Sequence, residues 1–203
     1  MGTQLEQWGG EFGRAYTDRN VVDWRVRLPA FRTMLADLNV ARVLEVGCNR
    51  GHNLLALSEL LGADREVVGV EPNPYAVEIA RASSPRVAVL RGTIFDLPFP
   101  AGHFDVAFTV GVLIHIPADC LPAAIRELAR VSGRYVLAVE YFAEQETVVP
   151  YRGHQDLLWR RNFLRHFQEC LPAHRLLRSG YWGLADGFDR THWWLLEQPG
   201  RTA

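Results

Sequence analysis

The chain has 203 residues, 48% hydrophobic and 22% charged, with a net charge of −1, which is ordinary for one soluble globular domain with a substantial core. The near-zero charge supplies no global field to collect nucleic acid, and all 22 basic residues are arginine, which excludes Schiff-base and lysine-base chemistry. Three cysteines without metal spacing (Cys48, Cys120, Cys170), no apolar run of bilayer length and no leader-like start point to a reduced, cytoplasmic protein with no membrane partner.

Gln7–Tyr16 is aromatic and glycine-rich and is expected to be mobile, or to form an N-terminal helix on the sheet edge. Val22, Val26, Phe31, Leu35 and Leu38 follow at helical spacing. Val43–Val46 is a buried strand entering a turn with Gly47 and Gly51, and Leu54, Leu55, Leu57, Leu60 and Leu61 continue as a helix that Gly62 ends. Glu66–Glu71 is a second strand, followed by a helix Pro74–Ala82 with Asn73 as N-cap. Arg86–Leu90 and Phe104–Val110 are the next strands, separated by a loop at 92–100. Leu121, Ile125, Leu128 and Val131 make an amphipathic helix, and Arg134–Val139 is the fifth strand. Tyr141–Gln155 is a loop, Leu157, Leu158, Phe163, Leu164 and Phe167 suggest a helix, and His174–Leu184 and Thr191–Glu197 are two final strands. Strands alternating with helices predict an α/β fold whose mostly parallel sheet is covered on both faces. Ligands bind such sheets beyond the carboxyl ends of the strands, which directs attention to Gly47–Asn53, Glu71–Asn73, Thr93–Phe95, Val110–His115 and Glu140–Phe142.

The glycine-rich turn decides between ligands. A dinucleotide fingerprint needs Gly-x-Gly-x-x-Gly, and Asn49 and His52 occupy two of its three glycine positions. No Walker Gly-Lys-Ser/Thr is present either, so nucleotide phosphates are disfavoured. Glu45-x-Gly47-x-x-x-Gly51, with Glu71 closing the second strand, resembles the class I S-adenosylmethionine-dependent methyltransferases, with Asn49 in place of their middle glycine. Gly92-Thr93-Ile94-Phe95-Asp96-Leu97-Pro98-Phe99 followed by Phe104-Asp105 is similar to a second family segment, and Val110–Ile116 to the segment lining the transfer site. A narrower resemblance, through Phe12-Gly13, Tyr16, Arg19-Asn20, Val46–Asn49, Gly111–Ile116, Glu140-Tyr141 and Tyr151–Gly153, is to the methylases found with pseudaminic acid biosynthesis.

The resemblance implies a Rossmann-like, mixed seven-stranded sheet, mostly parallel with one antiparallel strand, helices on both faces and the last two strands out of sequential order. It implies one domain over 1–203: N-terminal lid and helices at 1–37, cofactor core at 40–140, substrate-side loop, helix and last strands at 141–203. The implied cofactor is S-adenosyl-L-methionine, leaving as S-adenosyl-L-homocysteine. The backbone of Gly47, Cys48, Asn49 and Gly51 would surround its methionine part, with Glu45 holding the loop or the ammonium. Glu71, beside Pro72 and Asn73, would accept both ribose hydroxyls. Thr93, Ile94 and Phe95 would meet adenine, Thr93 replacing a family aspartate, and Val110 and Gly111 would line the transfer site. Tyr16, Arg19 and Asn20 are expected to contact the ligand from a Trp8–Asn20 segment folded over the cofactor.

For the acceptor, His115 would act as a base or orient its loop, and Glu140 would bind substrate or pair with an arginine. Tyr141, Tyr151, Arg152 and His154 would frame the substrate, or Tyr151–Gly153 would be a turn docking the next helix. His154, His166 and His174 lack metal spacing, and no metal is expected. The resulting expectation is methyl transfer to O or N of a small polar, sugar-related or natural-product metabolite, in a monomer or homodimer. The rivals are a non-catalytic S-adenosylmethionine-binding regulator or partner subunit, a nicotinamide oxidoreductase and a nucleic-acid methyltransferase. The last is opposed by the lack of a basic surface and of an Asn/Asp-Pro-Pro-Tyr-type motif.

Overall fold

The structure, a computed structural model, describes residues 2–200; Met1 and residues 201–203 of the expected span lie outside them. The N-terminal segment is two helices, α1 (Gly2–Gly9) and α2 (Glu11–Arg19), so of the two expectations for Gln7–Tyr16 the helical one holds. Gly13 is packed where a Cβ would stand 1.8 Å from the Trp8 carbonyl oxygen, so this glycine permits the close approach of α2 to α1. A 3-10 turn (Trp24–Arg27) leads into α3 (Leu28–Met34), with Pro29 in the first turn, where its missing N–H costs no helical bond.

The core then alternates: β1 (Arg42–Val46), α4 (His52–Leu61), β2 (Glu66–Glu71), α5 (Pro74–Ser83), β3 (Ala88–Arg91), β4 (Phe104–Val110), α6 (Leu121–Val131) and β5 (Ser132–Glu140). Asn73 caps α5 by accepting from the Tyr75 N–H at 3.0 Å, and Gly62 ends α4 at φ 90°. The last third differs from expectation at one place. Thr147–Val148 (β6) and Trp159–Arg160 (β7) pair antiparallel, and α7 (Phe163–Cys170) starts later, at the Asn162 cap. Leu157 and Leu158 therefore pack as irregular chain rather than as helix. β8 (Arg175–Trp182) and β9 (Thr191–Glu197) complete the sheet.

The seven-stranded sheet has the order β3-β2-β1-β4-β5-β9-β8, and β9 alone runs antiparallel to its neighbours. The expected class I methyltransferase architecture is thus present, including the inverted order of the last two strands. Side chains alternate across the sheet into two apolar layers. Val43 and Val67 face Phe31, Met34, Leu54 and Leu57 of α3 and α4. Leu44 and Val68 face Leu121, Leu128, Phe163 and Phe167 of α6 and α7. The strand order reverses between β1 and β4, and a crevice opens there at the carboxyl ends.

Candidate functional site

A cavity of about 460 Å³ occupies that crevice, roofed by α1 and α2. Its floor is the turn after β1. Gly47 adopts φ +78°, and a Cβ on it would lie 2.4 Å from Val112 Cγ2, so a side chain here fits neither the backbone nor the space. Asn49 adopts φ +46°, a left-handed conformation that asparagine tolerates better than most side chains. That tolerance explains how Asn49 replaces a glycine without changing the turn. Thr17 Oγ1 lies 2.9 Å from both the Gly13 carbonyl oxygen and Asn49 Oδ1, with one proton to share between these two acceptors, while Asn49 Nδ2 is buried beside the cavity without a partner.

Two carboxylates end β1 and β2. Glu71 is 8% exposed; its Oε2 accepts from the Asn49 N–H and its Oε1 from the Asn73 N–H, both at 2.9 Å. Burial raises its pKa to about 6, against the lowering effect of those two amides. Glu45 is 1% exposed and pushed up to about 8 by burial, partly offset by Asn53 and Arg27. Its Oε1 accepts from Asn53 Nδ2 at 2.6 Å, and its Oε2 has no partner. Arg27 reaches this pair from the 3-10 turn. It donates to Asn53 Oδ1 at 2.6 Å and to the Gly187 carbonyl at 2.9 Å, and lies over the Phe188 ring at 4.8 Å.

The other wall is aromatic. Trp8 packs against Tyr16 at 5.3 Å and against His115 at 4.5 Å, and His115 lies 5.7 Å from Tyr151. His115 Nδ1 sits 2.5 Å from the Leu157 carbonyl. A carbonyl only accepts, so Nδ1 carries the proton and Nε2 keeps its lone pair. Burial lowers the His115 pKa to about 4, against the effect of that carbonyl, so the ring is neutral at physiological pH. The Tyr141 hydroxyl donates to Asp189 Oδ2, and Thr191 contributes a buried hydroxyl with no partner.

Residues 43–133 match the methyltransferase domain family. The chain is 30% identical over 148 residues to YcgJ, an uncharacterized methyltransferase of Bacillus subtilis (strain 168). That match takes in 66% of this chain and 56% of the relative, so the chain spans about half the length of the curated relatives it matches. Among solved structures, magnesium protoporphyrin IX methyltransferase of Synechocystis PCC 6803 with bound S-adenosylhomocysteine superposes at TM-score 0.73. It is 16% identical, with 98% of this chain and 100% of that chain covered. The Burkholderia thailandensis 1,6-didemethyltoxoflavin-N1-methyltransferase, with bound 1,6-didemethyltoxoflavin and S-adenosylhomocysteine, also superposes at 0.73. It is 18% identical, with 97% and 88% covered; at these identities the two structures establish the fold alone.

Most of the sequence-derived candidates meet in the one cavity. Tyr16, Asn20, Glu45, Gly47, Cys48, Asn49, Glu71 and Pro72 line one part; Thr93, Ile94, Phe95, Val110 and Gly111 line the next; His115, Tyr141, Tyr151 and Arg152 line the far side. Five candidates do not line it. Arg19 points to solvent on the outer face of α2, because Tyr16 and Thr17 take the inward positions. Gly51 begins α4 at φ +78° against Ala80, so it shapes the turn from behind. Asn73 spends its side chain on the α5 cap and on the Trp8 and Gly10 carbonyls, tying α5 to the roof. Glu140 is fully buried: Oε1 accepts from the Thr109 hydroxyl at 2.8 Å and the Val112 N–H at 3.2 Å, and Oε2 from the Ile114 N–H at 3.3 Å. It fixes the loop that carries His115 and touches no ligand space. His154 packs on Phe12 at 5.6 Å, outside the cavity.

Tyr151–His154 is a tight two-residue turn with both backbone bonds formed, at 2.8 and 3.0 Å, and with positive φ at Arg152 and Gly153. It is therefore a mirror-image hairpin turn, the docking-turn alternative, and it also presents Tyr151 and Arg152 at the cavity. Arg27, Phe188, Asp189 and Thr191 line the cavity from outside the expected stretches, while Thr17 and Asn53 lie within the Trp8–Asn20 and Gly47–Asn53 stretches. The single local signal was the Asp186-Gly187 turn, whose Gly187 at φ +79° leaves room for Val26 and Arg27. Among the described residues no three His, Cys, Asp or Glu side chains are grouped to hold a metal, and no helix is long and apolar enough to cross a membrane.

Proposed function

We propose that this protein is an S-adenosylmethionine-dependent methyltransferase that methylates O or N of a small polar metabolite. The observation that carries the reading is Glu71, a cavity-facing carboxylate at the end of β2 whose two oxygens are pre-aimed by the Asn49 and Asn73 amides. Each oxygen keeps a second lone pair, the arrangement a vicinal diol requires. The residues present fit the cofactor at three further points. The unpartnered Glu45 Oε2 suits an ammonium, Gly47 leaves the backbone open, and Asn49 Nδ2 is a buried donor awaiting an acceptor. Thr93, Ile94 and Phe95 would hold adenine. The bound cofactor would supply a methyl group already activated on sulfonium sulfur, so the protein's work is alignment and proton removal.

The chain's own groups are suited to that work. α1 and α2 exclude water by closing Trp8 and Tyr16 over the cavity. Glu140 holds the turn after β4, and the neutral His115 offers an acceptor nitrogen. The match to the methyltransferase domain family and the solved relatives with S-adenosylhomocysteine support the reaction class. The toxoflavin methyltransferase supports a small-molecule acceptor by analogy of fold, and the pseudaminic-acid methylase resemblance supports a sugar-related one. The test is incubation with S-adenosylmethionine and the metabolite pool of the producing cell, followed by mass analysis. A metabolite gaining one CH2 unit is expected. Cofactor binding by calorimetry with no methylated product would leave the non-catalytic binding protein as the reading.

A further inference from the structure

We propose that Tyr141 and Asp189 form the route by which a protic acceptor surrenders its proton, so that the site methylates an O–H or N–H group deprotonated by the protein itself. The inference rests on the methyltransferase reading above and adds a residue, Asp189, that the cofactor pattern does not reach.

Three carboxylates line the cavity, and two are already committed. Glu71 holds the Asn49 and Asn73 amides, and Glu45 holds Asn53 in a fully buried position. Asp189 is the third. It lies in the loop between β8 and β9, anchored by the neighbouring Phe188, which is 2% exposed and packed under Arg27. Asp189 itself is open to solvent, so a proton it receives has an exit. Its Oδ2 accepts from the Tyr141 hydroxyl, which leaves the phenol oxygen with lone pairs for an acceptor's O–H or N–H. The alternatives are weaker. Glu140 is sealed from the cavity by its three bonds to Thr109, Val112 and Ile114. His115 is buried and held neutral, so taking a full proton there is costly.

The proton balance is direct. As the acceptor's lone pair forms its bond to the methyl carbon, the carbon–sulfur bonding pair stays with sulfur. The acceptor's proton passes to the Tyr141 oxygen while the phenol proton passes to Asp189, and the carboxyl then returns it to water. The groups that face this pair are Tyr16 from α2, Tyr151 and Arg152 from the turn, and Arg160 from β7, whose guanidinium is 5.8 Å from the Tyr141 ring centre. Arg27 from the 3-10 turn, His115 and Thr191 complete the surroundings.

The experiment uses the full chain, tritium-methyl S-adenosylmethionine and the small-molecule fraction of an extract from the producing cell. Wild type is compared with Asp189→Asn, Asp189→Glu and Tyr141→Phe. Asp189→Asn and Tyr141→Phe are expected to slow label transfer by about 100-fold or more, the scale of a lost proton acceptor, and Asp189→Glu to recover part of it. Calorimetric affinity for S-adenosylhomocysteine should stay within about twofold, since neither residue is in the part of the cavity assigned to the cofactor. A structural role would not move the second readout, the ultraviolet titration of tyrosine. Burial and the Asp189 bond hold the Tyr141 phenol well above its ordinary range, so one tyrosine should ionise at lower pH in Asp189→Asn, and that tyrosine should vanish in Tyr141→Phe. Wild-type transfer rates in both variants, an unshifted tyrosine titration, or loss of S-adenosylhomocysteine binding alongside loss of transfer would each overturn the proposal. Failure of wild type itself to bind S-adenosylhomocysteine would instead remove the methyltransferase reading.

Discussion

Replacing Glu71 with glutamine isolates the interaction on which the cofactor assignment turns. The wild-type carboxylate accepts two backbone amides at 2.9 Å, from Asn49 and Asn73, one on each oxygen. A glutamine retains one acceptor oxygen, and its NH2 must face the other amide donor to donor. One buried N–H is then unpaired, and one ribose hydroxyl loses its charged acceptor. A hydrogen bond to a charged group contributes about 1.5–3 kcal/mol. At about 1.4 kcal/mol per tenfold, affinity for S-adenosylhomocysteine should fall by roughly tenfold to 150-fold. Calorimetry of wild type, Glu71→Gln and Glu71→Ala gives the number. The analogue lacking both ribose hydroxyls separates ribose recognition from loop damage. Wild type should bind it less tightly than S-adenosylhomocysteine, and Glu71→Gln should discriminate little between the two. An affinity for S-adenosylhomocysteine within about twofold of wild type, or undiminished discrimination, would refute the ribose assignment.

Three further outcomes are expected. Because the free Glu71 carboxyl titrates near 6 and the diol needs the carboxylate, S-adenosylhomocysteine affinity should decline as pH falls through about 6. A flat calorimetric profile between neutral and acid pH would contradict this. Gly47→Ala should lower the thermal midpoint more than Gly62→Ala, since both need positive φ but the first also drives a Cβ to 2.4 Å from Val112 and the second meets nothing. The steric excess is about 1–3 kcal/mol, and equal midpoints would show that the Val110–His115 loop simply moves aside. For Glu140, burial raises the folded pKa from 4.5 to about 7, so the native state holds a proton that the unfolded chain has released. Its contribution to stability is therefore lost as pH rises from about 4.5 to about 7, and Glu140→Gln should show a shallower decline of the unfolding midpoint over that window.

The elements that could be placed from sequence are those whose local signals agree. β2 and β9 were expected at Glu66–Glu71 and Thr191–Glu197 and occupy those residues, because an apolar run there is bounded by turn-forming chain on both sides. α5 was expected from an asparagine cap followed by proline, two signals that local geometry enforces. The N-terminal helices are only one of two alternatives in the sequence because Gly9, Gly10 and Gly13 are poor helix residues by propensity. Tertiary packing overrides this: Asn73 Nδ2 donates to the Trp8 and Gly10 carbonyls and so ties the roof to α5. The helix at Leu157 failed for the opposite reason. The apolar pattern was right, but Trp159 and Arg160 find a partner strand at Thr147–Val148 that no periodicity within one segment displays.

The same division runs through the site. Glu45, Gly47 and Glu71 lie within one strand–turn–helix unit and its neighbour, where spacing in sequence is spacing in space, so a motif can report them. Arg27, Asp189 and Thr191 reach the cavity from the two ends of the chain, and the partners of the first two are 26 or more positions away: Arg27 to Asn53 and to the Gly187 carbonyl, Asp189 to Tyr141. No local pattern encodes such pairs. Glu140 shows that position at a strand end alone does not make a residue functional. Glu71 and Glu140 both close parallel strands beside the same crevice, and both accept backbone amides. Glu71 does so from amides on either side of the cavity floor and leaves lone pairs facing it. Glu140 accepts from Val112 and Ile114, in the turn that follows the adjacent strand, and is closed off by that turn. The cofactor half of the cavity is therefore legible as a motif, whereas the acceptor half is assembled by the roof helices, the Tyr151 turn and the β8–β9 loop. Acceptor identity should follow changes in those three segments while cofactor affinity stays fixed.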